Sequence, residues 1–309
     1  QRAYTTSAER NLTGRARRKD SEEYSSYLIC HESKSSRKMS RKAKQSKQKK
    51  KGSTSSSQAN KMFDLIGQHI FQGDYTEAIT GCERLLNELP RHAPLRADVL
   101  AQLATAHAML QNFPQSYEAL TEALALQPNN AELWYNRSLA SRYTSRFGQA
   151  LRDSEQALRL SPIAELAKDF DEALKINRKL VEKALKLGGP NFTIDQLIEQ
   201  EELFQQGLKL MQEEKWNEAG QAFQSSIALS DHLPQPWGNL GVSLLMQERY
   251  DEAEAALKRA LAIDRRYKIA KNNLKFLAEA RRTGPPKIME IHDPFKNRKM
   301  KRSITFITE

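Results

Sequence analysis

The chain has 309 residues, which is long enough for one or two domains with a buried core. Residues 1–61 hold 17 Lys and Arg against 5 Asp and Glu, whereas the other 248 residues hold 32 basic and 33 acidic groups, so the net charge of +11 belongs to the first fifth of the chain. No apolar run approaches the roughly eighteen residues of a membrane span, and the two cysteines, Cys30 and Cys82, exclude a disulfide framework or a zinc cage. This cysteine content is typical of a reducing compartment, and we predict a cytoplasmic protein.

Residues 1–60 are poor in large aliphatic side chains and rich in Ser, Lys, Arg and Gln. They cannot bury enough apolar surface to offset chain entropy, and we predict a disordered basic arm. Met39 opens the sequence Met-Ser-Arg-Lys-Ala-Lys, which is typical of a natural start. Our hypothesis is that residues 1–38 lie upstream of that start.

The arm is most basic between Lys34 and Lys51, where ten of eighteen residues are Lys or Arg and none is acidic. Such a segment can neutralise phosphates on a nucleic acid or an anionic surface, and without interleaved aromatic residues its binding is sequence-blind. The candidate polyanion-binding residues are Lys42, Lys44, Lys47, Lys49, Lys50 and Lys51. The alternatives are a solvated tail, which is the usual state of charge runs, and a nuclear-import signal if the source is eukaryotic.

From Met62 to about Arg282 the sequence shows helical periodicity with short turns. The pattern of helices and turns itself repeats at a longer period. An aromatic residue is followed three positions later by a small one at Tyr75/Ala78, Phe113/Ser116, Phe147/Ala150, Trp216/Ala219 and Tyr250/Ala253. The units that follow from this alignment begin at residues 59, 97, 131, 200 and 234.

The unit from Pro234 contains Trp237, Leu240, Gly241, Tyr250 and Ala253 at the spacing of a known repeat. In this pattern the chain resembles the tetratricopeptide repeat family, whose period is about 34 residues. The resemblance implies an all-α fold: helix-turn-helix repeats stacked into a right-handed solenoid with a concave inner surface. Small residues at the eighth and twentieth repeat positions let the two helices of a pair approach closely.

The predicted organisation has five parts. The basic arm (1–60) precedes repeats 1–3 (61–162), an amphipathic bridging helix and Gly-Gly-Pro linker (163–199), repeats 4–5 with a capping helix (200–283), and a basic tail (284–309). The bridging helix runs from about Pro162 to Leu187. A decayed sixth repeat would place the Gly188-Gly189-Pro190 sequence inside a helix, so we favour the bridge.

The resemblance implies a non-catalytic adaptor that holds a partner protein segment in the concave groove. The candidate groove residues are those at the inward repeat positions: Phe63, Ile70, Tyr135, Leu139, Arg142, Phe204, Leu208, Met211, Val242 and Leu245. This set is mostly apolar and suits a peptide or helix with hydrophobic side chains. The alternative for these residues is packing against neighbouring helices.

Two further functions remain open at this level. One is a nucleic-acid- or ribosome-associated accessory protein tethered by the Lys-rich arm, and the other is a self-assembling structural subunit. An enzyme is not expected: the six histidines lack ligand spacing, no phosphate loop or nucleophile motif occurs, and we predict neither a cofactor nor a metal. Binding of Hsp70/Hsp90 tails is disfavoured, because no Lys or Arg occupies the positions of the family's carboxylate clamp.

Overall fold

The structure is a computed structural model that describes residues 53–160 and 164–285, so most of the predicted arm and the tail from Pro286 lie outside the described residues. The described residues form helices and turns without strands. The helices are α1 (Ser53–Gln72), α2 (Tyr75–Glu88), α3 (Leu95–Met109), α4 (Phe113–Leu126), α5 (Ala131–Tyr143), α6 (Phe147–Leu160), α7 (Ala164–Gly188), α8 (Ile194–Gln212), α9 (Trp216–Leu229), α10 (Pro234–Met246), α11 (Tyr250–Ile263) and α12 (Lys268–Thr283). The predicted all-α fold is confirmed.

Helix α1 begins at Ser53, whereas the sequence places residues 53–60 in the disordered arm. The difference has a physical reason: Ile66, about three and a half turns after Ser53, is buried in the core and fixes the helix there. Extending a formed helix costs much less free energy than nucleating a new one, so the Ser-rich segment extends the helix towards the N-terminus.

Each of the five predicted repeats is a pair of helices, and the turn between the two helices has the same backbone geometry in all five. Two residues before each aromatic start of the second helix, the backbone enters the left-handed region, with φ between 57° and 84°, at Gly73, Gln111, Ser145, Glu214 and Glu248. In each turn the next residue donates its N–H to the carbonyl five positions earlier, as in Asp74 N to His69 O (2.8 Å) and Arg249 N to Leu244 O (3.0 Å). This pattern ends the first helix and satisfies its last carbonyls.

Small residues hold the helices of a pair together, as the repeat pattern predicts. A Cβ atom on Gly207 would lie 2.5 Å from the Phe223 ring, and one on Gly241 would lie 2.6 Å from the Leu257 side chain. Ala219 and Ala253, at the other small position, are fully buried. These positions therefore accept only small side chains.

The described helices divide into two compact units, with the boundary between Leu126 and Gln127. Unit 1 contains α1–α4, with a core that includes Ile66, Ala78, Cys82 and Leu85. Unit 2 contains α5–α12, with its largest core around Met211, Phe223, Val242 and Leu245. The domain boundaries drawn from the sequence at 60, 162, 199 and 283 stay predictions.

The long helix expected after the third repeat is α7, which packs on α6 and α5. Phe170 of α7 stacks on Tyr135 with ring centroids 4.7 Å apart, and buried Asn177 donates to Ala150 O (3.1 Å) and Ser154 Oγ (2.7 Å). Gly189, with φ of 99°, turns the chain towards α8. Thr193 caps α8 in a reciprocal capping box with Gln196.

Helix α12 ends the described array. Its core-facing side consists of Ala270, Asn273, Leu277 and Ala280, all buried, while the opposite side is exposed. Gly284, at φ of 85°, stops the helix and donates its N–H to Ala280 O (2.9 Å).

Candidate interaction surface

The structure divides the ten candidate groove residues by exposure. Five are buried, namely Tyr135, Leu139, Met211, Val242 and Leu245. The other five keep part of their surface open to solvent, namely Phe63, Ile70, Arg142, Phe204 and Leu208. A buried side chain cannot touch a partner while its neighbours stay in place, so any contact falls on the second set.

In unit 1 the partly exposed residues are Phe63 and Ile70 of α1. Both pack with one edge against the core cluster that contains Ile66 and Leu85. They lie two turns apart on one side of the helix, because seven residues complete about two turns.

In unit 2 the partly exposed apolar residues are Phe204 and Leu208, one turn apart on α8. Both pack against the cluster around Met211 and Phe223, and the Phe204 ring lies 5.7 Å from the Phe223 ring in a tilted arrangement. The core therefore holds one edge of each side chain, and the other edge remains accessible.

Arg142, near the end of α5, adds a polar group. Its guanidinium carbon lies 5.6 Å from the centroid of the Tyr143 ring, and its Nη1 atom is buried without a hydrogen-bond partner among the described residues. A buried donor without an acceptor is unfavourable, so this nitrogen raises the energy of the folded state. Gln205 Nε2 donates to Thr144 O (2.8 Å), which holds the middle of α8 against the turn after α5.

The position of α8 depends on Glu201, which the sequence does not single out. Its carboxyl oxygens accept the backbone N–H groups of Phe147 (2.7 Å) and Gly148 (3.0 Å), at the start of α6. The carboxyl group thus caps a helix more than fifty residues earlier in the chain. Burial raises the pKa of Glu201 to about 8, and the hydrogen bonds from Phe147 and Gly148 oppose that rise.

A buried ion pair joins α5 to α6. Arg137 Nε and Nη2 donate to Asp153 Oδ2 (2.9 Å) and Oδ1 (2.7 Å), and the guanidinium lies 4.8 Å from the Trp134 ring centroid. Gln149 Nε2 also donates to Asp153 Oδ1 (2.7 Å). The two residues are sixteen positions apart, whereas side chains that meet on one helix are three or four positions apart. The sequence pattern therefore does not indicate this pair.

Two side chains of the kinds that carry chemistry in enzymes, Cys82 and His107, are buried and partly buried respectively. Burial raises the pKa of the Cys82 thiol to about 12, so the reactive thiolate is scarce at neutral pH. Burial also lowers the pKa of His107. Within residues 53–160 and 164–285, no three His, Cys, Asp or Glu side chains come together as a metal site.

Other predicted features are placed as follows. The six candidate polyanion-binding lysines, Lys42 to Lys51, lie outside the described residues. At the carboxylate-clamp positions of the later repeats, Asn239 and Asn273 are buried. None of the helices in the described ranges has the length and apolar character needed to span a bilayer.

The chain was compared with known proteins. A family model described as "Tetratricopeptide repeat" matches residues 234–267, which cover α10 and α11. Sperm-associated antigen 1 of Rattus norvegicus is 28% identical over 110 residues, a match that covers 36% of this chain and 12% of that protein. The chain thus matches a small part of this curated relative.

Solved structures with a similar arrangement include the MamA protein (15% identity, 67% of this chain and 92% of that chain, TM-score 0.32). They also include the TPR domain of P58(IPK) (13% identity, 72% of this chain and 65% of that chain, TM-score 0.41). A third is the TPR2AB-domain:pHSP90 complex of yeast Sti1 (16% identity, 74% and 91%, TM-score 0.36).

The family assignment combines the match at residues 234–267 with features of the whole array. Five helix pairs share one left-handed turn position, and small residues stand where their helices meet. The chain therefore contains a tetratricopeptide repeat at residues 234–267, and its other helix pairs share the turn and packing of that repeat.

Proposed function

We propose that the chain is a non-catalytic adaptor that holds a segment of a partner protein against the open edges of Phe204 and Leu208 on α8, with the partly exposed Arg142 of the same unit as a further candidate contact. The observation that carries the proposal is the pair of apolar side chains on α8, each packed on the core by one edge and open to solvent by the other. Rigidly held apolar edges bind with little loss of side-chain entropy.

The same observation defines the chemistry of the partner. Phe204 and Leu208 suit a segment that presents two apolar side chains, and the partly exposed Arg142 adds a positive charge to the same unit. Phe63 and Ile70 would serve a partner of unit 1 in the same way. A carboxylate clamp for Hsp70/Hsp90 tails is not part of the proposal, because its positions carry no Lys or Arg. We keep a cytoplasmic location as our prediction.

The test is site-specific photo-cross-linking in lysate. The photoreactive residue p-benzoylphenylalanine is introduced in place of Leu208, and in a matched control in place of Leu187, which is 48% exposed on α7. We expect one defined adduct from position 208 that is absent at position 187 and is competed away by unlabelled full chain. Identical adducts at both positions, or none at 208, would contradict the proposal.

The alternative, a nucleic-acid- or ribosome-associated accessory protein, is supported by the ten basic residues between Lys34 and Lys51. Deletion of residues 34–52 separates the two functions. If the arm is the functional element, the deletion removes most salt-sensitive retention on a polyanion and leaves the Leu208 adduct unchanged. If the adduct is lost as well, the arm takes part in partner binding.

A further inference from the structure

The exposed side of α12 is strongly basic, although the folded part of the chain is near neutral overall. Between Arg265 and Arg282 there are seven Lys and Arg and a single acid, Glu279. Lys268, Lys271, Lys275 and Arg282 are all exposed. We call these four residues the α12 basic stripe.

The stripe is a continuous line on the helix. With about 3.6 residues per turn, its four members fall within roughly a sixth of the circumference, opposite the buried side that contains Ala270 and Leu277. At about 1.5 Å per residue, the stripe extends roughly 21 Å along the axis. Four cations are thus held in a row by one rigid element.

The neighbouring helix α11 leaves these four cations without an ion-pair partner among the described residues. Arg281, off the stripe, pairs with Asp251 (2.7 Å) and Glu254 (3.1 Å) of α11, and Glu254 also binds Lys258 (2.6 Å). The carboxylates of α11 that face α12 are therefore already engaged. In the part of the chain that the structure describes, the stripe residues make no ion pair, so their charge is available to an external anion.

We propose that the α12 basic stripe binds the phosphate backbone of a nucleic acid without sequence preference. A row of unpaired cations along one line complements a regular line of phosphates. The stripe carries no aromatic side chain for base stacking, which makes it sequence-blind.

The observations favour a long polyanion over other anionic partners. Peptide docking and bilayer insertion both use exposed apolar anchors, but the apolar residues of α12 (Ala270, Leu274, Leu277) face the core. The chain continues the charge beyond the stripe, since residues 286–309, just after α12, hold six basic and three acidic groups. An extended ligand can use charge that continues along the chain in this way.

The test measures the salt dependence of binding to a labelled oligonucleotide by fluorescence anisotropy, between about 50 and about 200 mM salt. The full chain is used, in a background in which the six candidate lysines of the arm are changed to Gln, so that the arm contributes less to the slope. Changing Lys271→Gln and Lys275→Gln removes two phosphate contacts. The slope of log K against log salt should become shallower by about 1.8 on a duplex and about 1.4 on a single strand.

The matched control changes Lys215→Gln and Lys258→Gln, which remove the same charge from lysines that are paired with Glu213 and Glu254. We expect the control to keep the original slope, and circular dichroism should report the same helix content in all variants. Equal slopes for the two double variants would overturn the proposal. So would binding to anionic vesicles or polyglutamate without binding to the oligonucleotide. The test does not involve Phe204 or Leu208, so its failure and the failure of the adaptor proposal are distinguishable.

Discussion

The two units of this protein are built from the same repeat but are held together differently. The core of unit 1 is almost entirely apolar, with Ser116 as its buried polar side chain among the described residues. Unit 2 buries many polar and charged side chains, including Arg137, Asp153, Asn177, Gln200, Glu201, Asn239 and Asn273. The comparison shows that the repeat pattern fixes the helix pairs, whereas polar contacts between distant helices add specific connections in unit 2.

The difference follows from the insertion of α7 into unit 2. Helix α8 packs on α6 although the long helix α7 separates them in sequence. Glu201 and Gln205 bind backbone groups at the two ends of the α5–α6 turn region, and such hydrogen bonds are directional. They fix α8 at one position on α6, which apolar packing alone does not do.

The largest effect is expected from the buried ion pair of unit 2. Asp153→Ala leaves the Arg137 guanidinium buried without its carboxylate, and we expect the free energy of unfolding to fall by about 4 kcal/mol. Urea unfolding measures this fall in the free energy of unfolding. The double change Arg137→Met with Asp153→Leu should recover most of this loss, because no charge is then buried; a double variant as unstable as the single one would refute this account.

In unit 1 the corresponding test removes apolar volume. Leu85 is fully buried, so Leu85→Ala should lower the free energy of unfolding by about 3 kcal/mol through lost burial and a residual cavity. The control is Leu65→Ala, at a position that is 50% exposed, where thermal unfolding should change little. Similar losses at both positions would show that burial does not govern unit 1.

The buried carboxyl of unit 2 should make stability depend on pH. The pKa of Glu201 is raised from 4.5 to about 8 on folding, so the stabilisation by its proton is complete below about pH 4.5 and is lost as the pH rises through 8. Between about pH 6 and pH 8 we expect the native chain to lose about 2 kcal/mol relative to Glu201→Gln, which does not titrate. Urea unfolding of both proteins across this range tests whether the native chain loses stability relative to the variant as the pH rises. A difference in the free energy of unfolding that stays constant with pH would contradict the prediction.

The smallest effect on stability is expected at the left-handed turn position, which recurs in the repeats of both units. Gly73 has φ of 84° and open space around its missing Cβ, so Gly73→Ala should cost about 1 kcal/mol through backbone conformation alone. Glu248 holds the same turn position in unit 2 at φ of 62°, and Glu248→Gly should raise the melting temperature slightly. Calorimetry checks whether the melting temperature falls for Gly73→Ala and rises for Glu248→Gly, as the same turn geometry at both positions requires.

The repeat elements were predictable because their signals are local. Aromatic starts such as Tyr75 and Trp216, and small residues such as Gly207 and Gly241, recur at fixed spacing and lie where the pattern places them. The Thr193 cap and the stop at Gly284 were also predictable, since capping uses neighbouring residues. The shared left-handed turn was not, because only one of its five positions is a glycine.

The candidate surface was predictable only in part. Repeat position identifies the side of a helix, but it does not tell whether a neighbour covers that side: Tyr135 lies under Phe170 of α7, whereas Phe204 keeps an open edge. The α12 basic stripe had a readable signal, namely basic residues at helical spacing, which the neutral charge of the whole fold concealed.

The sequence by itself determined the helix pairs, their order and the small residues at their contacts, because periodicity and local sterics act within a few turns of chain. Only the tertiary structure decided which inward residues stay accessible, where the Arg137–Asp153 pair forms, and that Glu201 caps a helix more than fifty residues away. These contacts join residues that are distant in sequence, and their energies depend on burial, which exists only once the helices have packed.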